Sequence, residues 1–334
     1  MIDDRLAAVG EIAALARILP RLPSSPGTLL GPGDDAAVLA APDGRVVLTT
    51  DVMVEGPDFR RDWSTPQDIG FKAAATNLAD IAAMGARPTG LLVALTAPAD
   101  LPVAVREGIA DGFADACAAL APGCGVVGGD LTRSPTLTVA VTAVGSLDDA
   151  APVRRSGARR GDVVAYAGSL GRAGAALRLL FGAPDAAAVA ALRRERPDLL
   201  DEQLAPRPPL AAGRGAAAAG ATAMLDVSDG LLLDASRIAK ASGVVLDLDG
   251  TALDHDVRAV AQALGADEST ARSIVLTAGE DHGLLACFPD GASLPAPFRV
   301  LGAVVAGEPA VLVDGLPPTE ESGGWDSFAA AGGD

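Results

Sequence analysis

The chain has little of the chemistry on which many catalytic centres depend. Of its 334 residues two are histidine, His255 and His282, and three are cysteine, Cys117, Cys124 and Cys287. No Ser or Cys stands in a recognisable nucleophile motif, which speaks against a hydrolase triad. An odd number of cysteines without a Cys-x-x-Cys pair suits reduced, buried thiols rather than a disulfide framework. Basic residues are also scarce, 26 Lys and Arg against 43 Asp and Glu for a net charge of −17. Nucleic acid and anionic membrane surfaces both demand a basic face, so neither is an expected partner. Long apolar runs are missing as well: the stretches 90–97 and 211–225 are interrupted well before the roughly 20 residues a membrane helix needs. Near the start, acids at Asp3 and Asp4 stand where a secretion signal would be basic. The expected location is the cytoplasm.

Apolar residues are abundant, 49% against 21% charged, so packed cores rather than disorder are expected. The length suits two domains of ordinary size. Leu6, Val9, Ile12, Leu15 and Ile18 recur at helical spacing and predict an amphipathic first helix. Strand-like runs fall at 46–50, 91–95, 137–145, 163–167, 244–248, 284–288 and 300–305. The clearest helix starts at a Thr65 cap with Pro66 in its first turn and stops at Gly85. Further helices are expected over 101–120, 171–181, 185–200, 208–220 and 229–241. Such a mixture predicts an α/β (α+β) protein. A Pro-, Gly- and Arg-rich stretch, APVRRSGARRGD over 151–162, marks the expected boundary between domains 1–150 and 151–334.

What the chain does have is aspartate at the ends of strands. Asp34 and Asp35 lie in GPGDDAAVL, which read alone is a turn. Thr49, Thr50 and Asp51 end the run VVLTTD. Asn77 and Asp80 share the polar face of the helix after it, and Asp130 follows Gly128 and Gly129 in VVGGDLTR. In LDVSDGL a strand ends at Asp226, Ser228 is the expected cap and Asp229 opens a helix, whose free N–H groups could bind phosphate. The turn GSLGRAG over 168–174 matches neither phosphate-loop fingerprint and is assigned no phosphate. Two carboxylates 4 Å apart repel by about 4 kcal/mol at an effective dielectric near 20, so a cluster of them calls for hard cations. Magnesium bridges carboxylates to substrate phosphates. Strand-end aspartates without a catalytic His or Cys therefore suggest phosphoryl transfer by positioning and metal electrostatics.

GPGDDAAVL, LTTDVMVEG, FKAAATNLADIAAMGARP, VVGGDLTR, RRSGARRGD, LDVSDGL, TAGEDHGLL and GWDSF occur in the order seen in thiamine-monophosphate kinases. The chain resembles that family, within the aminoimidazole-ribonucleotide synthetase superfamily, nearly end to end. The resemblance implies a two-domain homodimer. An N-terminal mixed sheet with helices would bind metal and ATP and dimerise, and a C-terminal α/β domain would complete the phosphate and substrate site. It also implies direct transfer of the ATP γ-phosphoryl to thiamine monophosphate with several magnesium ions and no covalent catalytic residue. Carried over by motif, Asp35, Thr49, Thr50, Asp51, Asp80, Asp130, Asp226 and Asp229 resemble metal ligands. Gly129, Asp130, Arg155 and Ser228 resemble ATP contacts, and Glu280 and Trp325 resemble thiamine contacts. Asp58 stands where the family often carries a substrate-binding His, and His282 where it often has an aromatic. The weighed alternatives are an aminoimidazole-ribonucleotide synthetase-like ligase and a non-catalytic module that binds divalent cations.

Overall fold

The computed structural model describes residues 11–30 and 38–319, with Val9 and Gly324. Asp35 and Trp325 lie outside the described residues. The chain forms two compact units, Met1–Pro152 with Asp185–Ala190 and Leu204–Arg214, and Val153–Pro184 with Ala191–Gln203 and Gly215–Asp334. The chain thus returns to the first unit twice after leaving it.

Among the described residues the first unit opens with α1 (Glu11–Ile18), a short 3-10 turn and the antiparallel pair β1 (Thr28–Leu30) and β2 (Val38–Leu39). Then come β3 (Val47–Val54), α2 (Pro66–Ala83), β4 (Arg87–Ala97), α3 (Val103–Leu120), β5 (Val126–Arg133) and β6 (Thr138–Ser146). Local chemistry starts α2 where the sequence places it. Thr65 Oγ1 accepts the Asp68 N–H and Asp68 Oδ2 accepts the Thr65 N–H, a reciprocal cap with Pro66 behind it. The four strands pair in the order β3-β6-β4-β5, antiparallel except for β4 with β5. One face is covered by α2 and α3, which bury Leu91, Val139, Val141 and Ala143 with Ile69, Leu78, Ile81, Ile109 and Phe113. The two helices meet backbone to backbone: a Cβ at Gly112 would lie 2.1 Å from the Gln67 carbonyl oxygen, so only glycine fits. The returning segment Leu204–Arg214 docks on α2, where Arg207 lies over the Phe71 ring and Gly213 faces the Ala82 carbonyl.

The second unit contains β7 (Val163–Ala167), α4 (Arg172–Gly182), α5 (Ala186–Glu195), α6 (Pro197–Leu204), α7 (Leu210–Ala218), β8 (Ala223–Asp226), α8 (Leu231–Ser242), β9 (Val245–Leu248), α9 (Asp254–Leu264), α10 (Glu268–Thr277), β10 (Leu284–Phe288), β11 (Arg299–Val305) and β12 (Ala310–Val313), with parts of α5, α6 and α7 in the returning segments. Its sheet runs β12-β9-β11-β7-β10-β8, parallel only between β12 and β9. β10 lies inside and is buried along its whole length, which accounts for the unbroken apolar run LLACF.

Three expectations change. The single helix over 185–200 is two, because Pro197 cannot continue α5 and instead opens α6. The helix expected from 229 begins at Leu231 with Gly230 before it, so Ser228 makes no cap. Helices α9 and α10 and strand β12 had no counterpart among the expected elements. All three cysteines are buried and free. No helix among the described residues is long and apolar enough to cross a membrane.

Candidate functional site

In the first unit the helix and the strand meet at matched spacings. Asn77 and Asp80 lie about 5 Å apart on one side of α2, close to the distance between alternate residues of a strand. Thr49 Oγ1 donates to Asp80 Oδ2 at 2.7 Å, and the Asp51 N–H donates to Asn77 Oδ1 at 3.2 Å. Asn77, buried, is itself held by Nδ2 donating to the Ala73 carbonyl at 2.9 Å. Thr49, Asp51, Asn77 and Asp80 therefore form one group on the helix-covered side of β3. Strand alternation sends Thr50 to the other face, where its Oγ1 donates to the Val141 carbonyl at 2.9 Å and accepts from Thr142. Pairing rows fix β5 in the same way. Gly129 lies in the row of Val93, Val141 and Asp51, and Asp130 in the row of Ala94, Ala140 and Val52. Asp51 and Asp130 are thus on opposite faces of the sheet, both exposed. At Gly129 a Cβ would stand 2.0 Å from the Val93 carbonyl oxygen, so the close approach of β4 by itself requires glycine there. Asp58 closes the turn after β3: its Oδ2 accepts the Val54 N–H at 2.7 Å and its carbonyl accepts from the buried Lys72 ammonium.

In the second unit the site residues gather where β8 and β10 are extended by their loops. The Val227 N–H donates to the Gly283 carbonyl, the His282 N–H to Val227, and the Glu280 N–H to Ser228, at 2.8, 2.8 and 2.7 Å. This brings TAGEDHG beside DVSDG. His282 Nδ1 stands 3.4 Å from Asp226 Oδ2, with both side chains buried. Glu280 and His282 hold left-handed backbones, φ +70° and +50°, which cost energy for side-chain-bearing residues and cluster at functional sites. Asp229 Oδ2 accepts from Arg237 Nη2 at 2.6 Å, and Arg237 also binds the buried Asp234, whose Oδ2 takes the Asp229 N–H at 2.9 Å. Burial is the main reason the Asp234 carboxyl is pushed up to about 6. Asp281 accepts the Gly171 and Ala173 N–H groups at 2.5 and 3.1 Å. Its carboxylate fills the N-terminus of α4, the helix opened by GSLGRAG. Burial pushes the Asp281 carboxyl up to about 7 against the pull of those two N–H groups.

Arg155 is exposed, and its carbonyl accepts from Ser242 Oγ at 3.1 Å, at the C-terminal end of α8. Ser228 and Asp229 precede the other end. A helix of 12 residues is about 18 Å long, so Arg155 and Ser228 do not share one phosphate group within this unit.

The sequence reading missed Asn77's hold on Asp51, the Arg237 clasp, the Asp281 cap and Gln203, whose Nε2 donates to Glu280 Oε2 at 2.5 Å. Arg237 had a local signal, since it follows Asp234 by three residues on a helix. Gln203 had none, being 77 residues from Glu280.

Among the described residues no three His, Cys, Asp or Glu side chains come together as a ready-made metal cage. The donors are carboxylates and hydroxyls, the hard oxygens that magnesium takes one or two at a time while completing its shell with water and phosphate. In chemical type the donor set fits that ion.

The family described as "AIR synthase related protein, N-terminal domain" matches residues 33–147, the span holding Thr49, Thr50, Asp51, Asp80, Gly129 and Asp130. A thiamine-monophosphate kinase from Mycobacterium tuberculosis is 46% identical over 327 residues, covering 97% of this chain and 93% of the relative. A crystal structure of thiamine-monophosphate kinase from Stenotrophomonas maltophilia K279a is 34% identical with a TM-score of 0.79, covering 91% of this chain and 97% of that one. A structure described as AaThiL complexed with AMPPCP and TMP is 29% identical with a TM-score of 0.74, covering 98% of this chain and 100% of that one. On this near-complete match in sequence and fold, the chain belongs to the thiamine-monophosphate kinase family.

Proposed function

We propose that the protein transfers the γ-phosphoryl group of ATP directly to the phosphate of thiamine monophosphate, giving thiamine diphosphate and ADP. The observation that carries this is 46% identity to a thiamine-monophosphate kinase over 97% of the chain. In this reading Thr49, Asp51 and Asp80 are the metal and phosphate ligands on the helix-covered side of the first unit's sheet, Thr50 and Asp130 face its other side, and Asp35 lies outside the described residues. Asp226 and Asp229 are further ligands in the second unit. Magnesium bound there neutralises charge on the phosphates and on the leaving group. The protein's own contribution is positioning. Asp80 and Asn77 fix the strand residues before and at Asp51, and Arg237 keeps Asp229 at one orientation and balances its charge. Ser228 and Arg155 contact different parts of the nucleotide, while the glycine at 129 is already required by the approach of β4. In the second unit Glu280, with Trp325, receives the acceptor, whereas the Asp58 carboxylate is taken up by the Val54 N–H in the turn after β3. A carboxylate suits the cationic thiazolium or the amino group of the pyrimidine, and an indole face suits stacking.

Direct transfer agrees with the enclosure of the thiols and of His282. The three thiols are buried, with Cys287 pushed up to about 12 by burial, and His282 is enclosed beside Asp226. The reducing cytoplasm suits those free thiols. A homodimer fits the open face of the first unit's sheet, where Leu48, Val52 and Leu92 are 60%, 55% and 39% exposed. Phosphorus NMR of the purified protein with ATP, magnesium and thiamine monophosphate tests the function. A new diphosphate ester and ADP are expected, both abolished by EDTA and restored by magnesium. Free phosphate without the ester would overturn the reading.

A further inference from the structure

The Arg155 side chain is exposed, and no ion pair holds it among the described residues. Such a guanidinium is aimed only as well as its own backbone is fixed. The backbone has two soft dihedrals per residue, so the direction of a side chain is set once the peptide planes on both sides of its Cα are set. At Arg155 both are held. The plane before it is fixed by the Met224 N–H of β8, which donates to the Arg154 carbonyl at 3.0 Å. The plane after it is fixed by Ser242, the last residue of α8, whose Oγ donates to the Arg155 carbonyl at 3.1 Å. The same Oγ accepts the Gly157 and Ala158 N–H groups at 3.1 and 3.2 Å, so one hydroxyl gathers three backbone groups of the turn RSGA. Its single hydrogen and two lone pairs are all used. Beyond these, Gly157 at φ +147° passes so close to the Thr222 carbonyl that a Cβ would stand 2.3 Å from its oxygen, and the Arg159 N–H donates to Asp162 Oδ2 at 2.9 Å. The turn is seated against the start of β8 and the end of α8. Alanine is a better helix former than serine, so the hydroxyl at 242 is explained by the turn and not by the helix that carries it.

We propose that Ser242 is a positioning residue for ATP: by fixing the peptide plane after Arg155, its hydroxyl aims the guanidinium at the nucleotide, at the opposite end of α8 from Ser228. This rests on the reading of Arg155 as a nucleotide contact. Ser242 itself touches no substrate and acts only through the turn it organises.

A double-mutant cycle over Ser242→Ala and Arg155→Ala, with steady-state kinetics for both substrates and calorimetric binding of a non-hydrolysable ATP analogue in magnesium, tests it. Ser242→Ala is expected to raise KM for ATP and Kd for the analogue about tenfold while KM for thiamine monophosphate changes less than about twofold. Ser242→Thr, which keeps the hydroxyl, should lie closer to wild type. In the Arg155→Ala background Ser242→Ala is expected to add nothing, because the group it positions is gone. The same factor in both backgrounds, a comparable rise in both KM values, or a Thr variant no better than Ala would overturn the proposal and leave Ser242 a purely structural residue. If the Ala variant does not fold, Ser242→Cys, whose sulfur is only a weak donor and acceptor, is held to the same criteria. An Arg155→Ala single variant with unchanged KM for ATP would instead overturn the nucleotide-contact reading of Arg155 itself.

Discussion

Raising the pH from 5 to 8 is expected to destabilise the second unit, and the group responsible is Asp281. Its carboxyl goes from an ordinary value of 3.8 to about 7 on folding, mainly through burial, with Glu202 adding repulsion and the Gly171 and Ala173 N–H groups opposing. The folded state therefore keeps a proton that the unfolded chain has released between about pH 4 and 7. Stability falls as pH rises through that window, and the loss is complete above it. At about 1.4 kcal/mol per unit the shift of roughly three units corresponds to about 4 kcal/mol in all, of which roughly 2.5 kcal/mol falls between pH 5 and 8. Asp234, raised to about 6, adds to the slope at the acid end. The carboxyls held below their ordinary value, such as Asp148 beside Arg87, give the opposite slope only below about pH 4. Chemical denaturation in metal-free buffer, with amide exchange of the first turn of α4 as the local probe, measures the effect. Asp281→Ser keeps a small capping oxygen but cannot titrate. It should be less stable than wild type at pH 5 and should close or reverse that gap by pH 8. A variant with the same pH slope as wild type would refute the assignment.

Arg237→Met leaves the buried Asp234 beside Asp229 without their shared cation, and should destabilise by roughly 3 kcal/mol in a thermal melt; a change below about 0.5 kcal/mol would mean the clasp is not needed. Leu48→Lys on the open sheet face should leave the monomer's stability within about 0.5 kcal/mol while shifting sedimentation towards monomer; an unchanged sedimentation profile would remove this face from the proposed dimer. Trp325→Ala should raise KM for thiamine monophosphate far more than KM for ATP, because stacking is worth roughly 1 kcal/mol and touches only the acceptor. Equal effects on both substrates would give Trp325 a packing role.

What the sequence determined by itself is what a few consecutive residues can specify. The Thr65–Pro66–Asp68 cap starts α2 because every partner lies within three residues, and the apolar runs of β7 and β10 are strands because no other element buries them so evenly. The order of motifs from VVLTTD to TAGEDHG also identified the family, since motif order is a property of the chain alone. Tertiary structure decided the rest. Alternation along β3 and the pairing rows to β5 put Asp51 and Asp130 on opposite faces, which neither motif contains. GSLGRAG has no phosphate fingerprint, and its helix end is filled by a carboxylate more than 100 residues downstream. Ser228 looked like a cap, but Asp234 and Asp281 take the N–H groups around it and at α4 because burial leaves no water to satisfy them. Gln203 meets Glu280 across 77 residues, and Glu202 beside it meets Arg172 at the start of α4, contacts over distances at which sequence spacing carries no signal.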